Sequence, residues 1–565
     1  MCQKAKDISV VICGAAGQGI QTIEKALTVM MKQAGYHVFA TREFMSRIRG
    51  GMNSTEIRIA NERAASFLNR VDICIPLKQG ALAHLKERLS DQTIIIGEKD
   101  TYDPEFDMFD IPVSRIAEEH GGKIYANAVA TGIVLGMFGL NPDLYKAYFR
   151  QEFQSKSEEI VQNNISACGK GYESGQILKN EKGVPGIPEP AGDLAGEILM
   201  NGAEAVALGA VAGGCRFVSS YPMSPSTGVL VQCAQHARDL DLVVEQAEDE
   251  ICAINMALGA SYAGAGSLVT TSGGGLALMG EGISLAGMTE TPVVIHLAQR
   301  PGPATGLPTR TEQGDLNLVL HAGHGEFPRI ILAPGDHSQA FDLSSQAFDL
   351  AGRFQIPVFI LTDQYLMDST RNIPEPDSGR NTKNTHIIKT DMDYQRFRLT
   401  ENGISPRGIP GYGNGLVCVD SDEHSEDGYI TEDFNVRRKM VDKRLKKMDA
   451  MKKACIPPVF HGPEDYETLF ICWGTNYHPV KDALQQNQAG KQAMLHFPQI
   501  YPVPPAADAY LKQAKRIVSV ENNATGQFGR LLTLETGFFV KKYILKYTGL
   551  PFSVEELCKE MSRLS

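Results

Sequence analysis

The apolar positions along the chain fall into two patterns. Short β-branched runs of strand length alternate with longer stretches whose apolar residues recur at helical spacing. Near the N-terminus SVVIC (9–13) leads through a glycine-rich turn into IQTIEKAL (20–27), and VDICIPL (71–77), TIIIGE (93–98) and the helical YANAVATGIVLGMF (125–138) come after it. A second set opens with the helical pattern GEILMNGAEAVALGAVAGG (196–214) and continues through LVVE, SLVTTS, PVVIHLA, PRIILA and PVFILTD. A third holds ETLFICWGT (467–475) and KRIVSVENN (515–523), separated by helical stretches. This alternation predicts an α/β chain of three layered α/β domains, the central one built on a mostly parallel sheet.

Two stretches interrupt the pattern. Residues 166–192 (SACGKGYESGQILKNEKGVPGIPEPAG) are rich in Gly, Pro and charge and lack an apolar period, so they read as a linker. Residues 369–457 are polar and read as an extended crossover followed by a charged helix, FNVRRKMVDKRLKKMDAMKK. The simplest reading of that helix's basic residues is a solvated face; contact with a partner or with a cofactor phosphate is the sharper alternative. The domains are then 1–165, 193–368 and 458–565. No repeat of 20 to 50 residues is present.

Composition changes this picture little. The 565 residues suit three or four domains of about 150 residues each. With 43% hydrophobic and 21% charged residues, the chain is an ordinary globular one. A net charge of −11 argues against a general binder of nucleic acid or anionic membrane. No apolar run reaches the length of a transmembrane helix, and the polar Met1–Asp7 is no signal peptide, so the expected location is the cytoplasm. The eleven cysteines include no CxxC pair, so neither a zinc ribbon nor an iron–sulfur cluster is supported; mostly buried free thiols are expected.

Candidate chemistry sits where strand-like runs meet helices. Gly14-Ala15-Ala16-Gly17-Gln18-Gly19 follows a strand and opens a helix, a place where backbone N–H groups can approach a phosphate. Its spacing is not the dinucleotide GxGxxG, and no Walker lysine comes after it, so phosphate contact and a plain tight turn both remain open. Arg47 and Arg49, beside Gly50-Gly51, could add guanidinium forks to an anion or simply lie on the surface. Tyr221-Pro222-Met223-Ser224-Pro225-Ser226-Thr227 follows the strand-like CRFVSS; its hydroxyls face a ligand or cap a helix, and for Ser226 capping is favoured. Glu245–Glu250 (EQAEDE) precedes a small-residue helix. Glu250 falls near that helix's apolar face, where an acid is costly without a partner, whereas Glu248 and Asp249 read as helix-dipole acids. Thr270-Thr271-Ser272-Gly273-Gly274-Gly275 is a second glycine turn, and Arg300 stands at the end of a strand, where it can clamp a carboxylate. His321 and His324 have the spacing of a metal pair but lack a third ligand nearby.

These residues, in this order, resemble a known family. YPMSPST, EQAEDE, TTSGGGLALM, AQRPGPATGLPT, QGDL and HAGHGE look like the α subunit of the 2-oxoacid:ferredoxin (acceptor) oxidoreductases, and ISPRGIPG, SDEHSEDGYITED and VENNATGQFGRLL are similar to its C-terminal half. CGAAGQGI and SRIRGGMNSTEIRI look like the family's γ subunit, fused in front. The resemblance implies a central thiamine-diphosphate pyrimidine-binding domain and a transketolase-C-terminal-like last domain. It implies coenzyme A-dependent oxidative decarboxylation of a 2-oxoacid, with electrons passed to ferredoxin. Glu250 falls where the family has the glutamate that hydrogen-bonds the cofactor's aminopyrimidine; Tyr221, Pro222, Ser272 and Gly273 fall on the cofactor side. Arg300 matches the substrate-carboxylate arginine and Thr309 a further substrate-side hydroxyl. Ser224 replaces the family's usual threonine, which keeps the hydroxyl and loses a methyl. The γ-like part implies coenzyme A contact at Gly14, Gly17, Gly19, Arg47 and Arg49.

Two constellations are missing. No Gly-Asp-Gly occurs to hold Mg²⁺ and a pyrophosphate, and no cysteines group for a cluster. Both are expected on a second chain, the family's β subunit, in an αβ or (αβ)₂ assembly. The fused γ–α arrangement leans toward 2-oxoglutarate; pyruvate, branched-chain and aryl 2-oxoacids are the alternatives. A non-catalytic scaffold and a stand-alone coenzyme A- or nucleotide-binding module are the rival classes.

Overall fold

The computed structural model describes residues 6–45, 51–99, 105–182, 186–377, 386–487 and 490–564. The chain forms two compact units, one of residues 1–200 with 369–375, the other of 201–368 with 376–565.

The first unit is built on an eight-stranded mixed sheet. Its central strand Asp7–Ala15 is flanked by Met52–Ala60 (antiparallel) and Ile73–Pro76 (parallel). The strand carries the fully buried Val10, Val11 and Ile12, and Ile20–Gln33 packs Ile23, Leu27 and Met30 against the same core. Thr370–Pro374, far away in sequence, adds a strand antiparallel to His37–Glu43. Asn372 ties it in: its Oδ1 accepts from Val38 N (2.8 Å) and its Nδ2 donates to the buried Glu197 (2.5 Å). The crossover after 369 therefore begins inside the first unit's sheet.

The expected linker at 166–192 is largely a helix. Glu158–Lys182 is continuous and crosses Ala126–Phe138 at backbone contact. A Cβ on Gly132 would lie 2.0 Å from Cys168 O, one on Gly136 2.1 Å from Tyr172 O, one on Gly171 2.1 Å from Val129 O and one on Gly175 2.1 Å from Ile133 O. The glycines that look like chain breakers are the packing surface of two helices too close for side chains. A second expectation also changes: the long helical pattern at 196–214 begins as the strand Glu197–Asn201. Only then does a helix start, at Gly202, behind a capping box of Asn201 and Glu204.

The second unit holds two sheets. The larger, of seven strands, runs in spatial order Gln499–Tyr501, Ile330–Leu332, Pro357–Asp363, Val293–Gln299, Gly266–Thr271, Cys215–Ser220, Val243–Gln246, parallel throughout except for its first strand. The smaller has five strands, with Thr468–Trp473, Gln492–Phe497 and Arg516–Glu521 at its centre. Three α/β sheets are thus present where three α/β domains were expected, two of them within one compact unit.

The basic helix Phe434–Lys453 is only partly the solvated face expected: Arg437, Arg438, Lys439, Lys446, Lys452 and Lys453 are exposed, but its other basic residues are not. Lys443, Arg444 and Lys447 are buried. Lys443 Nζ and Lys447 Nζ each lie 2.5 Å from a different oxygen of Glu290, all three side chains being 1% exposed. Arg396, also buried, donates to Glu290 O at 2.7 Å. Arg444 pairs with Glu423. Among the described residues no helix is long and apolar enough to cross a membrane. The ten described cysteines are free thiols, and six of them are buried.

Candidate active site

Parallel strands bring their carboxyl ends to one edge of a sheet, where ligands bind in α/β folds. In the seven-stranded sheet, adjacent strands end at Gln299, Thr271, Ser220 and Gln246, and each of these ends runs directly into one of the candidate motifs.

Glu250 is the first residue of the helix Glu250–Tyr262 and is 3% exposed. Asp249 caps that helix, its Oδ1 accepting from Cys252 N at 2.7 Å, as a dipole acid should. Glu250 Oε1 is buried and has no hydrogen-bond partner. A Cβ on Gly275 would stand 2.5 Å from that oxygen and 2.1 Å from Thr271 Oγ1. The TTSGGG turn therefore approaches the carboxylate as only glycine can. Ser272 Oγ, fully buried in the same turn, is also without a partner. Native interiors seldom leave such atoms unpaired, because each costs about 1–3 kcal/mol. Two together mark a place built for a polar ligand.

Arg300 follows the strand Val293–Gln299, and its Nη1 donates to Ser224 O at 2.6 Å. That bond fixes the guanidinium beside the YPMSPST turn and leaves its other donors available. Burial draws the Arg300 pKa down, and Asp315 opposes this. Asp315 is the residue that sequence reasoning passed over. Burial, reinforced by Glu312 and opposed by Arg300, lifts its carboxyl to about 6. A Cβ on Gly273 would lie 2.5 Å from Asp315 Oδ1, so this acid presses on the glycine turn. The QGDL motif was a visible signal; without the fold nothing linked it to Gly273 or Arg300. Ser224, Arg300, Asp315, Gly273, Gly275 and Glu250 thus form one connected set.

Other candidates fall differently. Tyr221 and Ser224 are exposed and Pro222 is half-buried at the rim. Thr309 is half-buried in the loop after Arg300, and no hydrogen bond joins it to these groups among the described residues. Ser226 occupies the N-cap position of Thr227–Gln235, yet its hydroxyl donates to Met223 O (2.7 Å) rather than capping. His324 pairs with Glu281 at the surface (2.8 Å), and no metal-ligand group occurs among the described residues.

The floor of the site is rigid. His296 is fully buried between Thr270 Oγ1 (2.7 Å) and Thr362 Oγ1 (2.8 Å), and burial lowers its pKa to about 3, so it stays neutral. Gln299 Oε1 accepts from Asp315 N. Gln313 Oε1 accepts from Asn476 Nδ2 (2.8 Å) and Asn522 N (3.0 Å), which fastens the QGDL loop to the end of the five-stranded sheet.

In the first unit, Gly17 and Gly19 line a cavity of about 320 Å³ with Thr22, Arg42 and Asn53. Gly17 and Gly19 are in the left-handed region (φ 87 and 72), and the helix Ile20–Gln33 begins there with no side-chain cap. Gly14 closes the turn, with Gln18 Oε1 accepting from Ala15 N. Arg42, pinned bidentately by Glu24 (2.8 Å), is the described cation of this groove. Arg47 and Arg49 lie outside the described residues.

Comparison with known proteins fits this geometry. Residues 208–443 match the family described as "Pyruvate flavodoxin/ferredoxin oxidoreductase, thiamine diP-bdg", and 9–174 match "Pyruvate ferredoxin/flavodoxin oxidoreductase". The α subunit of a 2-oxoacid:ferredoxin oxidoreductase from Sulfolobus is 31% identical over 622 aligned positions, covering 97% of this chain and 96% of that one. The KorA subunit of an Archaeoglobus fulgidus 2-oxoglutarate synthase is 32% identical over 330, covering 58% and 88%. The solved 2-oxoglutarate:ferredoxin oxidoreductase of Magnetococcus marinus, with 2-oxoglutarate, coenzyme A and succinyl-CoA bound, superposes with a TM-score of 0.92 at 30% identity, covering 99% of this chain and all of that one. Fold and matched family define a thiamine-diphosphate-dependent enzyme subunit. The chain belongs to the α subunits of the 2-oxoacid:ferredoxin oxidoreductases.

Proposed function

We propose that this chain is the γ–α-fused subunit of an oxidoreductase that decarboxylates 2-oxoglutarate oxidatively, with coenzyme A as acyl acceptor and ferredoxin as electron acceptor. The observation that carries the proposal is the buried, partnerless Glu250 Oε1 at the carboxyl edge of the parallel sheet. Thiamine diphosphate, when bound, supplies the carbon nucleophile that attacks a 2-oxo carbon. Glu250 fits its aminopyrimidine: a fixed carboxylate oxygen lacking a donor, in a water-poor turn, can hold or pass a proton at a ring nitrogen. Arg300, braced on Ser224 O, offers its free donors to the substrate's 1-carboxylate. The Ser224 hydroxyl and Thr309 lie on the substrate side, with Tyr221, Pro222, Ser272 and Gly273 toward the cofactor.

A β subunit bearing the Mg²⁺–pyrophosphate site and an iron–sulfur cluster completes the enzyme as an αβ or (αβ)₂ heteromer in the cytoplasm. The groove of Gly17, Gly19 and Arg42 is the place for coenzyme A phosphates, with Gly14 shaping the turn and Arg47 and Arg49 nearby in sequence. Support for 2-oxoglutarate comes from the near-full-length likeness to the Magnetococcus enzyme. The test is to purify the chain with its co-encoded partner and follow coenzyme A-dependent dye reduction across a panel of 2-oxoacids. 2-Oxoglutarate should give the highest kcat/KM, and Glu250→Gln should lower it by roughly 100-fold or more. Activity on no 2-oxoacid, or full activity of Glu250→Gln, defeats the reading.

A further inference from the structure

The edge of the seven-stranded sheet opposite Glu250 holds a cavity of about 80 Å³ where the strands Cys215–Ser220, Gly266–Thr271 and Val293–Gln299 begin. A six-residue strand separates the two edges by about 20 Å. Ligands of α/β folds bind at carboxyl ends, so the fold alone gives this cavity no function. Its lining, however, is unlike that of a packing defect. Gly214, Gly264 and Gly266 expose backbone and Ser267 and Arg407 supply polar groups, beside the apolar Pro292, Val294, Phe348 and Ile387.

Arg407 is 7% exposed and faces no carboxylate among the described residues; its guanidinium donates to Ser261 O and to Ser261 Oγ (3.3 Å). Ser267 is 3% exposed, and its Oγ has no hydrogen-bond partner. The charges behind the wall add to this. Burial, together with the repulsion of Arg396, draws the Arg407 pKa down to about 10. Arg396 in turn sits on Glu290 with Lys443 and Lys447. One carboxylate, Glu290, thus answers three buried cations, Arg396, Lys443 and Lys447, while Arg407, the fourth, meets the repulsion of Arg396 and no carboxylate among the described residues. Buried charge at such an excess is unfavourable unless an anion joins it. An apolar void stays dry, whereas a polar one of this volume holds several waters or one small ion.

We propose that this cavity is a binding site for a small oxyanion of phosphate or carboxylate size, held by the Arg407 guanidinium and the Ser267 hydroxyl. An oxyanion accepts from the guanidinium fork, accepts a hydrogen bond from the orphaned hydroxyl, and offsets the surplus positive charge behind Arg396. The site is separate from the groove at Gly17 and Gly19 and from the edge that carries Glu250.

The test is isothermal titration of inorganic phosphate into the full 565-residue chain at fixed ionic strength in chloride, repeated with acetate. One saturable phosphate or acetate site is expected. Ser267→Ala should weaken it by about tenfold, as should Arg407→Lys, which keeps the charge but loses the fork. Saturating thiamine diphosphate or coenzyme A should leave the binding unchanged. No saturable binding means a water-filled cavity and overturns the proposal. So does binding that survives both substitutions, or that either cofactor abolishes. Should Arg407→Lys fail to fold, Ser267→Ala decides alone, since it removes a single oxygen.

Discussion

Replacing Glu290 by Gln tests the reading of the basic helix most severely. Glu290 follows the end of the helix Gly280–Met288 in the left-handed region (φ 49), where Gly or Asn would fit at less cost. A glutamate persists there because its carboxylate meets Lys443 and Lys447, each at 2.5 Å, with all three side chains 1% exposed. Burial alone would raise the Glu290 carboxyl, but Lys447, Lys443 and Arg396 outweigh it and hold the group far below the usual range. Burial nevertheless wins at Lys447, which falls to about 8 from 10.5. Gln keeps the shape and removes the charge, leaving ammonium groups buried without a counter-ion, which costs about 3–5 kcal/mol near neutral pH.

The pH dependence has a definite sign. A lysine whose folded pKa is depressed binds its proton more weakly in the folded chain, so folding gains about 1.4 kcal/mol per pH unit between the folded and unfolded values. In Glu290→Gln both lysines drop further, and that gain starts at lower pH than in the parent. The stability gap between parent and variant should therefore narrow as pH rises from about 6 to 9. Urea unfolding at several pH values, in a cycle with Lys447→Met, reads this directly. A cost below about 1 kcal/mol at pH 7, or a gap that does not change with pH, refutes the argument.

Gly171→Ala should part the helices Ala126–Phe138 and Glu158–Lys182, because its Cβ would meet Val129 O at 2.1 Å; a loss of about 3 kcal/mol or more is expected in thermal or urea unfolding. Asp315→Asn should stabilise the chain at pH 7 by about 3 kcal/mol. The raised carboxyl makes the parent lose stability as pH climbs from about 4 to 6, and the variant should lose less across that window in urea titrations. Arg300→Lys, keeping charge but not the fork, should raise KM for the 2-oxoacid about tenfold or more with a smaller change in kcat, measured in the assembled enzyme.

Much was legible in the chain itself. The alternation of strand-like and helical runs determined three α/β layers, because buried parallel strands must be continuously apolar. The order of glycine turns, the acid cluster and Arg300 pointed to strand ends and to a family, and the EQAEDE spacing singled out Glu250. Other features depended on contacts distant in sequence. Glycines at 171 and 175 read as breakers until Val129 and Ile133 on another helix came against them. Lys443 and Lys447 of the 434–453 helix looked solvated like their exposed neighbours because their counter-ion, Glu290, lies about 150 residues away. Asp315 gained its raised pKa and its place beside Arg300 and Gly273 only when the loops after separate strands converged. Periodicity records which face of an element is apolar. Which charged or backbone group stands opposite that face is a property of the folded chain, and there the glycine crossing, the buried ion cluster and the unpaired oxygen of Glu250 were decided.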